Sequence, residues 1–327
     1  MKDIGLVGLP GSGKSTLFTA LTRAGAAGGR ANQAVVPVPD PRLDVLAKLE
    51  RSAKVVAAQV RFVDPPGGLT TQGLGALRQA DALCVVLDAF TGARDPAADL
   101  REVEAELLLS DLAITESSLE KAERRAKGKD QEAKDELELL RRVHSTLSGD
   151  RPLSTESFTV EEGKSLRGFG YLTQKPLVVV ANLDEGAAVP NGLPEGTLGV
   201  YASIEAEVAA MDPAEAAALL REFSVDEPGL ERVIAACYRA LDLITFLTTG
   251  EDETRAWEVR RGARAPEAAG AIHSDLERGF IRAEVVGYDD LVAAGSWKDA
   301  KGAGTLRVEG KDYQVREGDV LHVLFAV

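Results

Sequence analysis

Eight residues near the start of the chain, GLPGSGKS at positions 8–15, have the types and spacing of a phosphate-binding loop. Its glycines let the backbone adopt positive φ angles and bring N–H groups close to phosphate oxygens. Lys14 is placed to reach β- and γ-phosphates, and Ser15 to offer its hydroxyl to Mg²⁺. The residues predicted here to bind a nucleotide are Gly8, Pro10, Gly11, Ser12, Gly13, Lys14, Ser15 and Thr16.

The same letters also fit a glycine turn that merely connects two elements. Here an apolar run at residues 4–7 precedes the loop, and a helical pattern begins near Lys14. A helix that starts at such a loop directs the positive end of its dipole at a bound anion. The context of strand, loop and helix therefore favours phosphate binding.

A second motif, DPPG at residues 64–67, ends a strand-like run at residues 55–64. An aspartate in this place can hold Mg²⁺, directly or through water, and the N–H of Gly67 can meet a γ-phosphate. We therefore predict Lys14 and Asp64 as catalytic residues, and Ser15 and Asp64 as metal ligands.

Three further apolar runs, at residues 80–89, 176–181 and 197–202, alternate with helical segments. This alternation predicts an α/β fold with a doubly wound, mostly parallel sheet. Ligands bind such sheets at the carboxyl ends of the strands, where the phosphate loop, DPPG and NLDE at residues 182–185 all fall.

Apolar residues at three- and four-residue steps in residues 100–126 and 137–147 predict an inserted helical hairpin with coiled-coil-like packing and a turn near Gly128. Its tip is basic, which fits either a solvated helix end or a contact with RNA. The basic residues there are Lys121, Arg124, Arg125, Lys127 and Lys129.

Short strands separated by glycine-containing turns follow from about residue 242, and residues 309–312 predict a hairpin connection. We expect a nucleotide-binding domain at residues 1–99 and 165–241. The hairpin is expected to occupy residues 100–164, and a small α+β domain residues 242–327.

Composition narrows the class of protein. The 327 residues are 45% hydrophobic and carry a net charge of −14, which argues against broad binding to DNA or anionic membranes. Cys84 and Cys237 lie in apolar runs and are expected in the core. No signal peptide or membrane-spanning run is evident, so we expect a cytoplasmic protein. We also expect a monomer.

Four stretches carry a family resemblance: VPVPDPRLD at residues 36–44, AKDELELL at residues 133–140, and the longer segments 255–291 and 304–323. They resemble the YchF family of Obg-related P-loop NTPases over nearly the whole chain. The resemblance implies a C-terminal TGS-type domain with a β-grasp, ubiquitin-like fold. It also implies ribosome or RNA association through this domain and the hairpin, with six arginines available: Arg255, Arg260, Arg261, Arg264, Arg278 and Arg282.

The base-reading motif differs from the Asn-Lys-x-Asp of ordinary GTPases, because residues 182–185 lack the lysine and end in glutamate. This resembles the YchF pattern, which implies a preference for ATP or acceptance of both ATP and GTP. By the same resemblance, further nucleotide contacts are expected from Asn182, Leu183, Glu185, Ala202 and Ser203. Phe90 stands where the family has a base-flanking aromatic residue, although it also fits an ordinary core position.

Several departures mark a shortened member of the family. Residues 31–33 run almost directly into the 36–44 segment, so the first switch is missing, and the second has Gly68 where an apolar residue is usual. The loop that carries the family's proposed catalytic histidine is cut to Thr91-Gly92-Ala93-Arg94, and His144, His273 and His322 all lie elsewhere.

Hydrolysis needs phosphate positioning, a metal and an oriented water, and the sequence assigns no residue to the water. We therefore expect slow or partner-dependent hydrolysis by a ribosome-associated switch. The alternative is a nucleotide-binding interaction module that has lost turnover. A small-molecule kinase would need an acceptor site and usually an arginine-lined lid, and no motif in the sequence indicates either.

Overall fold

The computed structural model describes residues 1–24, 32–128, 130–209, 211–212, 215–216, 219–220 and 228–326. The chain divides into two compact units: unit 1 is Met1–Val36 with Arg61–Cys237, and unit 2 is Pro37–Val60 with Tyr238–Val327. Residue 31 of the shortened first switch and Lys129 of the hairpin tip lie outside the described residues.

The strands are β1 Lys2–Val7, β2 Gln33–Pro37, β3 Lys54–Val56, β4 Gln59–Val63, β5 Ala82–Ala89, β6 Leu177–Leu183, β7 Leu198–Val200, β8 Leu243–Thr248, β9 Glu253–Arg260, β10 Phe280–Gly287, β11 Arg307–Glu309 and β12 Asp319–Phe325. The described α-helices are α1 Lys14–Ala24, α2 Arg42–Glu50, α3 Thr71–Leu77, α4 Pro96–Arg125, α5 Gln131–Ser148, α6 Val160–Leu166, α7 Ala202–Val208, α8 Gly229–Ala240, α9 Ala265–Ile272, α10 Ser274–Arg278, α11 Tyr288–Ala294 and α12 Trp297–Ala303. Within the described ranges, no helix is both long and apolar enough to cross a bilayer.

The first sheet has the strand order β2-β4-β1-β5-β6-β7, and β5 pairs in parallel with β1 and β6, as β6 does with β7. Strand β5 is buried along almost its whole length, as expected for a parallel strand covered on both faces. The predicted doubly wound α/β sheet is confirmed. Cys84 on β5 and Cys237 on α8 are buried free thiols, as expected.

The inserted helical hairpin is also confirmed, and α4 starts earlier than the sequence pattern indicated. Asp95 caps α4 by accepting a hydrogen bond from the backbone N–H of Ala97, and Asp130 caps α5 in the same way. A buried cluster around Val143 and Leu147 of α5 packs against Leu108 and Leu112 of α4.

Unit 2 has a mixed sheet of order β11-β10-β12-β8-β9-β3. Strands β8 and β9 form an antiparallel pair, β12 runs parallel to β8, and β10 is antiparallel to β12 and β11. Alanines of α9 join Phe246 and Val285 in the core beneath this sheet. This strand order, with α9 packed against the sheet, is the predicted β-grasp fold.

Two local predictions are wrong. Residues 55–64 are not one strand, because β3 belongs to the second sheet and β4 to the first. Residues 309–312 do not join two paired strands, because β10 lies between β11 and β12. Neither a strand-like run nor a turn-like motif specifies which strands pair with each other.

Candidate functional site

The phosphate loop joins the buried end of β1 to the first turn of α1. Gly11 and Gly13 have φ angles of 84° and 86°, which side chains of L-residues rarely adopt. A Cβ atom at Gly8 would overlap the carbonyl oxygen of Val86 on the neighbouring strand. The first N–H groups of α1 have no acceptor within the helix, so the loop presents donors to an anion.

Lys14 is held by the loop itself, since its Nζ donates to the carbonyl oxygens of Gly8 at 2.7 Å and Leu9 at 2.9 Å. Burial lowers the pKa of Lys14, and the negative charge of Asp64 opposes that shift. Burial likewise raises the pKa of Asp64, against the pull of Lys14. The two predicted catalytic residues therefore influence each other electrostatically.

Six of the predicted residues meet at one cavity of about 630 Å³: Gly8, Pro10, Lys14, Ser15, Asp64 and Gly67. Its described wall consists of Gly8, Leu9, Pro10, Lys14, Ser15, Asn32, Asp64, Pro65, Pro66, Gly67, Gly68, Leu69, Thr70, Glu102 and Glu106. The DPPG and phosphate-loop motifs thus lie on one cavity although 48 residues of sequence separate them. Sequence reasoning missed Glu102 and Glu106 of α4, for which no motif gives a signal.

The donor set fits a metal that is bound together with a nucleotide. Within the described residues, no cluster of three or more histidine, cysteine or acidic side chains can hold a metal. Ser15 and Asp64 offer two hard oxygen atoms, and Mg²⁺ commonly completes its shell with phosphate oxygens and water. The hydroxyl of Ser12 is buried without a hydrogen-bond partner, which is consistent with a loop built around a further ligand.

Asn182, at the end of β6, connects the phosphate loop to α7. Its Nδ2 donates to the carbonyl oxygen of Ser12 at 3.4 Å, and its Oδ1 accepts from the N–H of Ala202 at 3.2 Å. The side chain is 4% exposed. The sequence indicated a base contact for Asn182 but gave no sign that its amide already binds two backbone groups.

The other residues predicted to contact the base lie at the same edge of the sheet but not on the cavity wall. Leu183 is buried and packs against Gly199 of β7, whereas Glu185 and Ser203 are exposed. Phe90 is 37% exposed, and its Cε1 lies 3.7 Å from the position of a Cβ at Gly13. Phe90 is therefore a neighbour of the phosphate loop rather than a core residue.

Asp88 fixes the loop that follows β5. Its carboxylate accepts hydrogen bonds from the N–H groups of Phe90 and Thr91, and from the Thr91 hydroxyl at 2.5 Å. Burial alone would raise the pKa of Asp88, but these bonds and nearby Arg94 outweigh it and lower the pKa. His144 lies on α5, and His273 and His322 belong to unit 2, so none of the three histidines is in the loop that follows β5.

The sheet with a phosphate loop after its first strand defines a P-loop NTPase domain of the GTPase-like class, followed by a β-grasp unit. Two family models match the chain. One is described as 50S ribosome-binding GTPase and covers residues 3–115. The other is YchF-GTPase_C, described as a protein of unknown function (DUF933), and covers residues 243–326.

Curated relatives match the full length. The ribosome-binding ATPase YchF of Bacillus subtilis (strain 168) is 39% identical over 361 residues, covering 99% of each protein. That of Escherichia coli O157:H7 is 37% identical over 358 residues with the same coverage. The solved Schizosaccharomyces pombe YchF GTPase superposes with a TM-score of 0.88 at 28% identity, covering 99% of this chain and 97% of the other. The chain belongs to the YchF family.

The alignment with the Bacillus subtilis relative also bears on the length of this chain. It spans 361 positions, more than the 327 residues present here, so the relative contains segments that this chain lacks. This agrees with the prediction of a shortened member.

Proposed function

We propose that this protein binds ATP or GTP with Mg²⁺ at the phosphate loop and hydrolyses it slowly or with a partner's help. The observation that carries the proposal is the shared cavity of Lys14, Ser15, Asp64 and Gly67. In this assignment Lys14 binds the β- and γ-phosphates, Ser15 and Asp64 hold Mg²⁺, and Gly67 contacts the γ-phosphate. Asn182, Leu183, Glu185, Ala202 and Ser203 are assigned to the base side.

Lys14→Ala is expected to weaken nucleotide binding at least about 100-fold. Two lost charge-assisted hydrogen bonds are worth about 3–6 kcal/mol, and about 1.4 kcal/mol is a factor of ten in affinity. Calorimetric titration of wild type and variant with ATP, ADP, GTP and GDP, with and without Mg²⁺, measures the effect and the base preference together. Equal affinities of wild type and variant would contradict the proposal.

Single-turnover phosphate release then separates slow hydrolysis from none. Lys14, Ser15 and Asp64 account for phosphate positioning and the metal, while no described residue is assigned to orient water. Release that depends on Lys14 supports an NTPase. Binding without any release supports the alternative, an interaction module that has kept its pocket.

We further propose that the protein associates with ribosomes or RNA; the names of its relatives describe those proteins as ribosome-binding. The hairpin tip is the favoured surface. Four of the six C-terminal arginines have carboxylate partners within 4 Å: Arg255, Arg261, Arg264 and Arg278. At the described tip, Arg125 pairs with Glu136, and no carboxylate partner is found for Lys121, Arg124 or Lys127.

Replacing Lys121, Arg124 and Lys127 together with glutamate is expected to abolish salt-sensitive co-sedimentation with ribosomes. Cationic contacts to phosphate carry most of such binding and weaken steeply as salt rises. The matched control replaces Arg255, Arg261 and Arg264, which already have local ion pairs, and should change sedimentation little. Association that survives the tip substitutions but is lost in the control would assign RNA binding to unit 2.

The remaining assignments stay proposals that follow from this function. A ribosome-associated protein acts in the cytoplasm, and nothing in the proposed chemistry needs more than one chain. We retain the predicted domain bounds. The nucleotide-binding domain is residues 1–99 with 165–241, the coiled-coil hairpin is residues 100–164, and the TGS-type domain is residues 242–327.

A further inference from the structure

Arg94 lies in the loop that follows β5, beside the phosphate cavity. Its Nε donates to both carboxylate oxygens of Asp99, at 2.8 and 2.9 Å, and its Nη2 donates to Glu102 Oε2 at 3.3 Å. Glu102 itself lines the cavity that contains Lys14 and Asp64. The guanidinium of Arg94 thus contacts a residue of the cavity wall.

The path of the loop supports this position. The loop begins at Phe90, beside Gly13 of the phosphate loop, and ends at Arg94, beside a wall residue of the cavity. Asp88 anchors the first residues of the loop through their N–H groups. Gly92 has a φ of 64°, which glycine adopts without strain, and no atom lies within 4 Å of its Cβ position.

The charges of the cavity give Arg94 a chemical role. Among the described residues on its wall, Lys14 is the one cation, against the carboxylates of Asp64, Glu102 and Glu106. Lys14 also donates to two loop carbonyls. Phosphoryl transfer develops negative charge on the γ-phosphate oxygens, and a second cation there stabilises the transition state.

We propose that Arg94 is a catalytic arginine that this chain supplies to its own active site. Its guanidinium exchanges Glu102 for an oxygen of the γ-phosphate while Asp99 continues to hold Nε. The oxygen of water forms the new bond to phosphorus, and the bond to the β–γ bridging oxygen breaks. The diphosphate leaves with the electron pair, the water proton ends on phosphate, and Arg94 keeps its own protons. The proposal rests on the nucleotide-binding function proposed above.

Arg94→Ala is expected to slow single-turnover hydrolysis at least about 100-fold, since a catalytic arginine is worth roughly 10³–10⁵ in rate. Affinity for the nucleoside diphosphate with Mg²⁺ should change less than about twofold, whereas affinity for the same diphosphate with aluminium fluoride should fall at least about 30-fold. Arg101→Ala is the matched control. Arg101 also lies near the start of α4, is 69% exposed on its side chain, and contacts Asp95 at 3.9 Å, away from the cavity.

Asp99 is buried, and Arg94 neutralises its negative charge. A purely structural role of Arg94, as the partner of Asp99, therefore has to be distinguished from a catalytic role. Glu102→Gln frees Nη2 and is expected to raise the hydrolysis rate about threefold to fivefold, the value of an exposed ion pair. Glu106→Gln, on the same wall but without a described contact to Arg94, controls for the loss of negative charge. A structural role for Arg94 predicts no gain in rate from Glu102→Gln.

The outcomes distinguish this proposal from the one on which it rests. If the wild type binds no nucleotide, or Lys14→Ala binds as well as the wild type, the nucleotide-binding function fails. If nucleotide binds normally but Arg94→Ala and Arg101→Ala have equal affinity for the aluminium fluoride complex, the role of Arg94 is overturned. The affinity comparison needs no turnover, so it decides the matter even if intrinsic hydrolysis is undetectable. A wild type that binds the aluminium fluoride complex no better than the diphosphate alone also overturns it.

Discussion

Gly13→Ala is expected to abolish nucleotide binding at micromolar ligand and to destabilise unit 1. The new Cβ would overlap the Nδ2 of Asn182 and lie 3.2 Å from its Cγ. Asn182 cannot yield freely, because it is buried and bonded to Ser12 and Ala202. Strain at a φ of 86° costs an L-residue about 1–2 kcal/mol, and one or two lost hydrogen bonds cost about 0.5–1.5 kcal/mol each. Displacement of the loop N–H groups should lower nucleotide affinity at least about 100-fold.

Gly11→Asn provides the control, because Gly11 has nearly the same φ but no atom within 4 Å of its Cβ position. Asparagine tolerates the left-handed region better than alanine does, so this variant should weaken nucleotide binding much less than Gly13→Ala. Calorimetric titration and thermal unfolding of both variants test the contrast. If Gly11→Asn and Gly13→Ala weaken binding equally, the loss of affinity comes from the backbone conformation of the loop and not from the contact with Asn182.

The local motifs of this site could be predicted because each is encoded in consecutive residues. The phosphate loop needs its glycines, lysine and serine at fixed spacing, and DPPG needs only four positions at the end of a strand. The apolar run that became β5 likewise predicted a strand buried on both faces. A short stretch of consecutive residues is therefore enough to predict each of these features.

The contacts that assemble the site could not be predicted, because they join residues far apart in the chain. Asn182 bonds to Ser12 across 170 positions. Glu102 looks like one more charged residue on an amphipathic helix until α4 is placed beside the phosphate loop. The split of residues 55–64 between two sheets has the same origin, since strand propensity does not specify a partner.

Arg94 is a residue of the site whose proposed role could not be predicted from the sequence. In the sequence, the notable feature of the shortened loop is that it has no histidine. The arginine at its end, Arg94, belongs to no sequence motif. Its position follows from the cap of α4, where Asp95 and Pro96 start the helix immediately after the loop. That start sets Asp99 and Glu102 within reach of Arg94, which only the three-dimensional arrangement makes visible.

The second large effect is expected at Asp111, a fully buried carboxylate of α4. Its Oδ1 accepts from Arg78 Nη1 at 2.7 Å and from the N–H of Leu172 at 3.0 Å. Its Oδ2 accepts from both the N–H and the hydroxyl of Thr173, each at 2.8 Å. One side chain therefore joins the residue after α3, the helical hairpin and the segment that leads into β6.

Asp111→Ala is expected to lower the free energy of unfolding of unit 1 by about 3–5 kcal/mol. The substitution removes one member of a buried ion pair and leaves the Arg78 guanidinium and three other donors without their acceptor. Both tryptophans, Trp257 and Trp297, lie in unit 2, so urea unfolding should be followed by far-ultraviolet circular dichroism.

Glu136→Ala, which breaks an exposed pair with Arg125 on the same hairpin, should cost less than about 1 kcal/mol. Equal losses in the two variants would show that the Asp111 network contributes no more than a surface ion pair. Arg78 directly follows α3, the helix after DPPG, and Asp111 lies on the hairpin. A large loss of stability in Asp111→Ala but not in Glu136→Ala would therefore show that this network links the second switch to the hairpin.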